Sequence, residues 1–169
     1  HYLGAVELAA YSFIKKVPEN IKLIPRFITQ LSVPKFSTQN IGDPLVKKEV
    51  IRKTWFFAGG SAVLVFIYIL MAPFIFKILF APYQQYVFLS QIYALSFVFN
   101  FGGLFFNFVE TNRKAKSVLS LNAIISALTI LTIFVSLKFY GLIGLVAGYS
   151  FIRFVSSVLK YVYFKKAIR

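Results

Sequence analysis

Residues 55–76, with the sequence WFFAGGSAVLVFIYILMAPFIF, form a run of 22 residues that contains no charged side chain. Two further runs, residues 87–109 and 117–137, are also uncharged. A helix needs roughly 20 apolar residues to cross a hydrocarbon core of about 30 Å. Three such runs in 169 residues are unusual for a soluble fold. The sequence therefore predicts an all-α integral membrane protein.

The overall composition supports this class and argues against two others. The chain is 59% hydrophobic, with a mean hydropathy of +0.75, which is too apolar for a disordered chain. Its formal charge of +14 would suit a nucleic-acid-binding protein. The basic residues, however, stand mainly at the ends of the apolar runs, where membrane topology explains them better. We therefore expect a lipid bilayer, and no nucleic acid, as the partner.

Side chains that carry catalysis or bind metals are scarce. The chain has no Cys, and its only His is the first residue. The acidic residues are Glu7, Glu19, Asp43, Glu49 and Glu110. A hydrolytic or metal centre needs His and carboxylates that converge on one point. We therefore expect no enzymatic activity, no metal site and no cofactor.

About five transmembrane helices are predicted, at residues 3–33, 55–76, 87–109, 117–137 and 142–164. The first is interpreted as one long helix with a charged stripe, kinked by its prolines, although two helices that meet near Pro18 are an alternative. Residues 34–54 are polar and basic, and they are predicted to form a loop that leads into the next helix. Basic residues also concentrate between the third and fourth spans and at the C-terminus. By the positive-inside rule, we expect three regions to lie in the cytoplasm: the loop 34–54, the connection between the third and fourth spans, and the C-terminus.

Polar or small residues recur at helical spacing inside three of these spans. The three sets are Tyr93, Ser96, Asn100, Gly103, Asn107 and Glu110; Asn122, Ser126, Thr129, Thr132 and Ser136; and Tyr149, Arg153, Ser156 and Lys160. Such faces either pack helices together or line a water-filled cavity, and packing is favoured for span 117–137. Gly141, Gly144 and Gly148 form a small-residue face that can serve the same packing. Residues 55–76 show no comparable stripe, so we expect them to face lipid.

Several basic side chains fall well inside the predicted spans. A cation near the bilayer centre costs at least ~2.5 kcal/mol, so it faces a cavity or a partner, or it extends to the headgroups. Extension suits Lys77, Lys138 and Lys160, which lie near span ends. For Arg153, near the middle of its span, a cavity or partner is favoured. The candidate cavity residues are Lys15, Lys22, Arg26, Asn100 and Arg153.

The segment LGAVELAAYSFIKKVPENIKLIPRFITQLSVPKFS, residues 3–37, resembles the G-x-Y-S…P…P-x-x-S helix of Wzx-type oligosaccharide flippases and related polysaccharide biosynthesis proteins. The matching positions are Gly4, Tyr11, Ser12, Pro25, Pro34 and Ser37. The resemblance continues through a basic loop, two apolar spans, the turn TNRKAK, a further span and the segment GLIGLVAGYSFIRFVSSVLKYVYFKK. It covers nearly the whole chain. Because the chain starts with His and its only Met is Met71, we expect it to be the C-terminal part of a longer protein.

The resemblance implies the C-terminal bundle of the multidrug/oligosaccharidyl-lipid/polysaccharide exporter fold, a MATE-like fold in which a second, N-terminal helical bundle of the same protein completes the transporter. It also implies a flippase for an undecaprenyl-pyrophosphate-linked oligosaccharide, used for cell-surface polysaccharide such as O-antigen. Such a flippase would act by alternating access in the plasma (inner) membrane of a bacterium or archaeon. A cationic cavity containing Lys15, Lys22, Arg26 and Arg153 would suit the anionic pyrophosphate.

Two alternatives to the flippase remain open. The first is an ion-coupled multidrug exporter of the same fold. Such an exporter would need buried carboxylates, for which Glu7 and Glu110 are the candidates. The second is a small membrane scaffold that transports nothing.

Overall fold

The computed structural model describes residues 4–20, 43–112 and 115–167. All regular secondary structure in these ranges is helical, so the predicted all-α class is confirmed there. The α-helices are α1 (Ala5–Glu19), α2 (Pro44–Leu79), α3 (Val87–Leu95), α4 (Gly102–Asn112) and α5 (Ala115–Ala167). Short 3-10 segments, Ala81–Tyr86 and Val98–Phe101, connect α2 to α3 and α3 to α4.

Two of these helices are long and apolar enough to cross a membrane, judged by length and composition. They are Leu45–Leu79 and Val118–Lys166, whose apolar 18-residue stretches have mean hydropathies of 2.5 and 2.3. The predicted span 55–76 lies within α2, and the predicted spans 117–137 and 142–164 lie within α5.

The region predicted as loop 34–54 and the predicted first span both lie partly outside the described residues. Residues 21–42 belong to that undescribed part, which includes Lys22 and Arg26. Residues 44–54, in contrast to the expected loop, already form the first turns of α2. The helix begins there because Asp43 is an N-cap whose Oδ1 accepts a hydrogen bond from the Leu45 N–H at 2.8 Å, and Pro44 suits the first helical position.

The run 87–109, expected as one continuous helix, is divided in the structure. Helix α3 ends at Leu95, and α4 begins at Gly102 after a 3-10 turn. Ser96 marks the break, because its Oγ donates a hydrogen bond to the Tyr93 carbonyl oxygen at 2.6 Å. Such local side-chain bonds compete with continuation of the α-helix.

Helix α2 has one exposed and one buried face. The exposed face carries large apolar side chains, including Phe56, Val63 and Leu70. The buried face carries Val50, Thr54, Ser61, Val65, Tyr68, Ala72 and Phe76. Thr54, Ser61 and Tyr68 therefore form a polar stripe at seven-residue spacing, two helical turns apart. Two of them, Ser61 and Tyr68, lie within residues 55–76, where the sequence shows no polar stripe comparable to those of the other spans.

Helix α5 is a hairpin of two arms, residues 115–140 and 142–167. The reversal occurs at Gly141, whose φ of 54° and ψ of −136° are not helical. Beyond it, Gly144 packs against Ser136, and Gly148 packs against Ser136 and Thr132. Farther from the turn, Leu121 and Ile125 belong to the same apolar cluster as Leu159 and Tyr163. The predicted small-residue face thus allows the two arms to approach closely.

A Gly141→Ala substitution is expected to destabilise the fold by about 1–3 kcal/mol, because a Cβ is strained in this backbone conformation. The free energy of unfolding can be measured by titration with sodium dodecyl sulfate, followed by circular dichroism. Gly59→Ala is the matched control, because Gly59 is helical and has no atom within 4 Å of its added Cβ. Equal unfolding free energies for the two variants would contradict the strained turn.

The main core lies between α1, α2, α3 and the second arm of α5. Its buried residues are Ala10, Ile14, Val65, Tyr68, Ala72, Leu89, Tyr93, Ala94, Phe97, Leu142 and Val146. A polar link runs through this core: the hydroxyls of Tyr68 and Ser90 are 2.5 Å apart, and Ser90 Oγ donates to the Ile14 carbonyl oxygen at 3.3 Å. This link joins three helices and fixes α3 against α1 and α2. The orientation of α3 determines the site described next.

Candidate functional site

Arg153 lies on the second arm of α5 and points towards the end of α3. Its side chain is half-buried. Nη1 donates a hydrogen bond to Ser96 Oγ at 3.1 Å, and Nη2 donates to the Tyr149 hydroxyl at 2.9 Å. Tyr149 precedes Arg153 by one helical turn, whereas Ser96 comes from the break after α3. The guanidinium is therefore held both by its own helix and by the break after α3.

Three aromatic rings surround the same guanidinium. Its central carbon is 4.5 Å from the ring centroid of Tyr149, 4.9 Å from that of Phe97 and 5.5 Å from that of Tyr93. The rings of Tyr93 and Tyr149 are stacked, with centroids 5.4 Å apart and an interplanar angle of 12°. The negative faces of aromatic rings attract a guanidinium. We call Ser96, Tyr93, Phe97, Tyr149 and Arg153 the Arg153 cluster.

The charge of Arg153 is not balanced by an acid. In residues 4–20, 43–112 and 115–167, no carboxylate oxygen lies within 4.0 Å of its guanidinium nitrogens. Its hydrogen-bond partners are two neutral hydroxyls. Because a cation removed from water needs compensation, the cluster has a surplus of positive charge that an anion can neutralise.

Helix α1 extends the Arg153 cluster on the other side of Tyr93. The Tyr93 hydroxyl donates to Glu19 Oε1 at 3.3 Å, and Lys15 Nζ lies 4.0 Å from the same oxygen. The side chains of Lys15 and Glu19 are 39% and 35% exposed. Because Lys15 lies beside the Glu19 carboxylate, its charge is already partly balanced. Of the two cations, Arg153 is the one whose positive charge is less well balanced by the described residues.

A second half-buried cation lies on the same arm of α5 as Arg153. Lys160 follows Arg153 by seven residues, which places the two side chains on one face about 10 Å apart along the helix axis. Its ammonium lies 5.1 Å from the ring centroid of Phe106 in α4. Between them, Ser157 Oγ accepts a hydrogen bond from the Gly102 N–H at 3.4 Å. Arg153 and Lys160 therefore form a row of two cations that faces α3 and α4.

The five candidate residues from the sequence have different outcomes. Arg153 and Lys15 are brought into one connected group, through Tyr93 and Glu19. Lys22 and Arg26 lie outside the described residues. Asn100 belongs to the 3-10 segment Val98–Phe101, and the placement of its side chain is also outside what is described.

The sequence placed Tyr93, Ser96 and Tyr149 on polar helix faces but did not identify them, or Glu19, as residues of the site. Ser96 and Tyr93 lie on the predicted polar face of span 87–109, and Tyr149 lies one turn before Arg153 on its own face. Helical spacing could have identified them, because residues three or four positions apart share one face of a helix. Phe97 carries no such signal, because an aromatic residue in an apolar run is indistinguishable from other core residues.

Comparisons of the chain with known protein families, with curated proteins and with solved structures give no match. A function for this protein is therefore inferred from the geometry and charge of the Arg153 cluster.

Proposed function

We propose that this protein translocates an anionic lipid-linked oligosaccharide across a membrane, and that Arg153 contacts the phosphate groups of this cargo. A pyrophosphate-linked polyprenol, of which undecaprenol is the bacterial form, fits the proposal. The single observation that carries it is the half-buried Arg153 guanidinium, whose hydrogen-bond partners among the described residues are both neutral. Arginine in such a place is suited to bind phosphate, because its planar group offers several N–H donors in a fixed arrangement.

The exposed surface supports placement in a bilayer. Large apolar side chains are exposed along α2 and along both arms of α5, for example Phe66, Ile130 and Phe151. A continuous surface of this kind is unfavourable in water and is favourable against lipid. The basic first turns of α2 and the basic end of α5 suit the cytoplasmic side of a plasma membrane, with the turn at Gly141 on the opposite side.

The two-cation row supports a cargo with more than one negative charge. Within the described residues Arg153 makes two side-chain hydrogen bonds, and a guanidinium has five N–H donors, so further donors are available there for phosphate oxygens. Lys160 supplies a second positive charge about 10 Å further along the same helix. A pyrophosphate with an acidic sugar nearby presents charges over a comparable distance. The proposed mechanism is alternating access, in which this row is exposed first to one side and then to the other.

The multidrug-exporter alternative is less well supported by the described residues. A carrier of cationic drugs needs a buried carboxylate, and the two candidates, Glu7 and Glu110, are both exposed. Glu19 lies closer to the cluster, but its carboxylate already accepts the Tyr93 hydrogen bond and lies beside Lys15.

The proposal can be tested with the full-length protein in vesicles that contain a fluorescent polyprenyl-pyrophosphate oligosaccharide. We expect translocation of this lipid, measured by the accessibility of the fluorophore to a membrane-impermeant reductant, to be faster than in protein-free vesicles. An excess of unlabelled pyrophosphate lipid should slow it. Ion-driven efflux of a cationic dye without lipid translocation would instead support the exporter, and absence of both activities would support a scaffold.

A further inference from the structure

The first turns of α2 present two basic side chains on one exposed face. Leu45, Lys48, Arg52 and Trp55 follow one another at three- and four-residue steps, so they share this face. Lys48 and Arg52 are both exposed. Beside them lies an open cleft of about 490 Å³, which we call the α2 basic cleft. Its lining residues are Leu45, Lys48, Glu49, Ile51 and Arg52.

The net charge of this cleft is positive. Its one carboxylate, Glu49, is bound by Lys53, whose Nζ lies 2.6 Å from Glu49 Oε1. Lys48 and Arg52 have no carboxylate within 4.0 Å in the part of the chain that the structure describes. They stand one helical turn apart, so both can contact one anionic group.

An apolar surface continues directly from these two cations along the same face. Trp55 is 66% exposed and Phe56 is 85% exposed. One turn later, Gly59 and Gly60 have no atom within 4 Å of where a Cβ would stand, which leaves open space beside the helix. The exposed side chain of Val63 follows. Along α2, the two cations come first, the interfacial Trp55 follows, and the apolar surface comes last. A phospholipid presents its headgroup, glycerol region and acyl chain in the same order.

We propose that the α2 basic cleft binds an anionic phospholipid. Lys48 and Arg52 contact its phosphodiester, and an acyl chain follows the face of Phe56, Gly59 and Val63. Basic side chains at the cytoplasmic start of a membrane helix favour anionic lipids in this way. The inference requires α2 to cross a bilayer, and it does not depend on the cargo of the Arg153 cluster.

Trp55 provides a direct test, because it is the only Trp in the sequence and lies next to the proposed headgroup contact. The protein is reconstituted in phosphatidylcholine vesicles that contain a small fraction of brominated lipid, which quenches Trp fluorescence on contact. We expect brominated phosphatidylglycerol to quench Trp55 more strongly than the same fraction of brominated phosphatidylcholine. In the Lys48→Gln/Arg52→Gln variant, the relative association of phosphatidylglycerol should fall on the order of tenfold.

The matched control is Lys77→Gln, which removes an exposed cation at the opposite end of α2 and should leave the lipid preference unchanged. Circular dichroism of all variants checks that the helices form. Equal quenching by the two brominated lipids, or a preference that survives in the double variant, would overturn the proposal. So would displacement of phosphatidylglycerol by inorganic phosphate at matched ionic strength, which would indicate a site for the free anion. The lipid translocation assay is unaffected by these outcomes, so each proposal can fail separately.

Discussion

Replacing Arg153 by glutamate should abolish translocation of the lipid-linked oligosaccharide by the full-length protein. The substitution replaces the cation that would contact phosphate by an anion that repels it, and it places that anion next to the Tyr93 and Tyr149 rings. Arg153→Lys keeps the charge but loses the planar donors and the ring contacts, so translocation should fall about tenfold. The rate of fluorescent lipid translocation in vesicles measures both effects.

A neutral variant separates function from folding. Arg153→Met retains a similar apolar volume but removes the charge, two hydrogen bonds and the ring contacts, so the free energy of unfolding should fall by no more than about 1–3 kcal/mol. Translocation should still be lost. The control is Lys138→Glu, which reverses an exposed cation at the end of the first arm of α5 and should translocate normally. Normal translocation by Arg153→Met would exclude Arg153 as the phosphate-binding residue.

Gly144→Leu should be among the most destabilising substitutions in the chain, with a loss of about 3 kcal/mol. A Cβ at Gly144 would meet the carbonyl oxygen of Ser136 and the Cβ of Tyr140, which lies 2.6 Å away. One of these is a backbone atom of the facing arm, so the clash is relieved only if the arms of the hairpin separate. The free energy of unfolding, obtained by titration with sodium dodecyl sulfate, measures the loss.

Gly60→Leu is the matched control for Gly144→Leu. Gly60 is also helical, but it has no atom within 4 Å of its added Cβ and is exposed on the face of α2 that we assign to lipid. Its replacement by a better helix former should leave stability unchanged or raise it by up to about 1 kcal/mol. If both variants unfold at the same detergent fraction, the close packing of the two arms of α5 is not a source of stability.

The helices themselves were predictable because hydropathy is a local property of the sequence. Residues 55–76 lie inside α2, and the runs 117–137 and 142–164 lie inside the two arms of α5. Arg153 could be selected for a similar reason, since a cation in the middle of an apolar run is visible without any structure. The break in the run 87–109 was not predicted, because hydropathy does not show that the Ser96 hydroxyl bonds back to the Tyr93 carbonyl oxygen at this point.

The polar stripe of α2 was also not predicted. Thr54, Ser61 and Tyr68 are separated by seven residues each, and the apolar residues between them hide the pattern in a hydropathy reading. Only the packing of α3 shows that Tyr68 is on the buried side, where its hydroxyl meets Ser90.

The sequence by itself determined that this chain is helical, that its long helices are apolar enough for a membrane, and that Arg153 is an unusual residue. It could not determine the environment of that arginine. Ser96 lies 57 residues before Arg153, and Glu19 lies 74 residues before Tyr93, yet both pairs are in hydrogen-bond contact. Only the tertiary structure decided these contacts, because they depend on how α1, α3 and α5 pack together. Hydropathy and helical spacing describe each helix separately, whereas the charge balance of Arg153 is a property of all three.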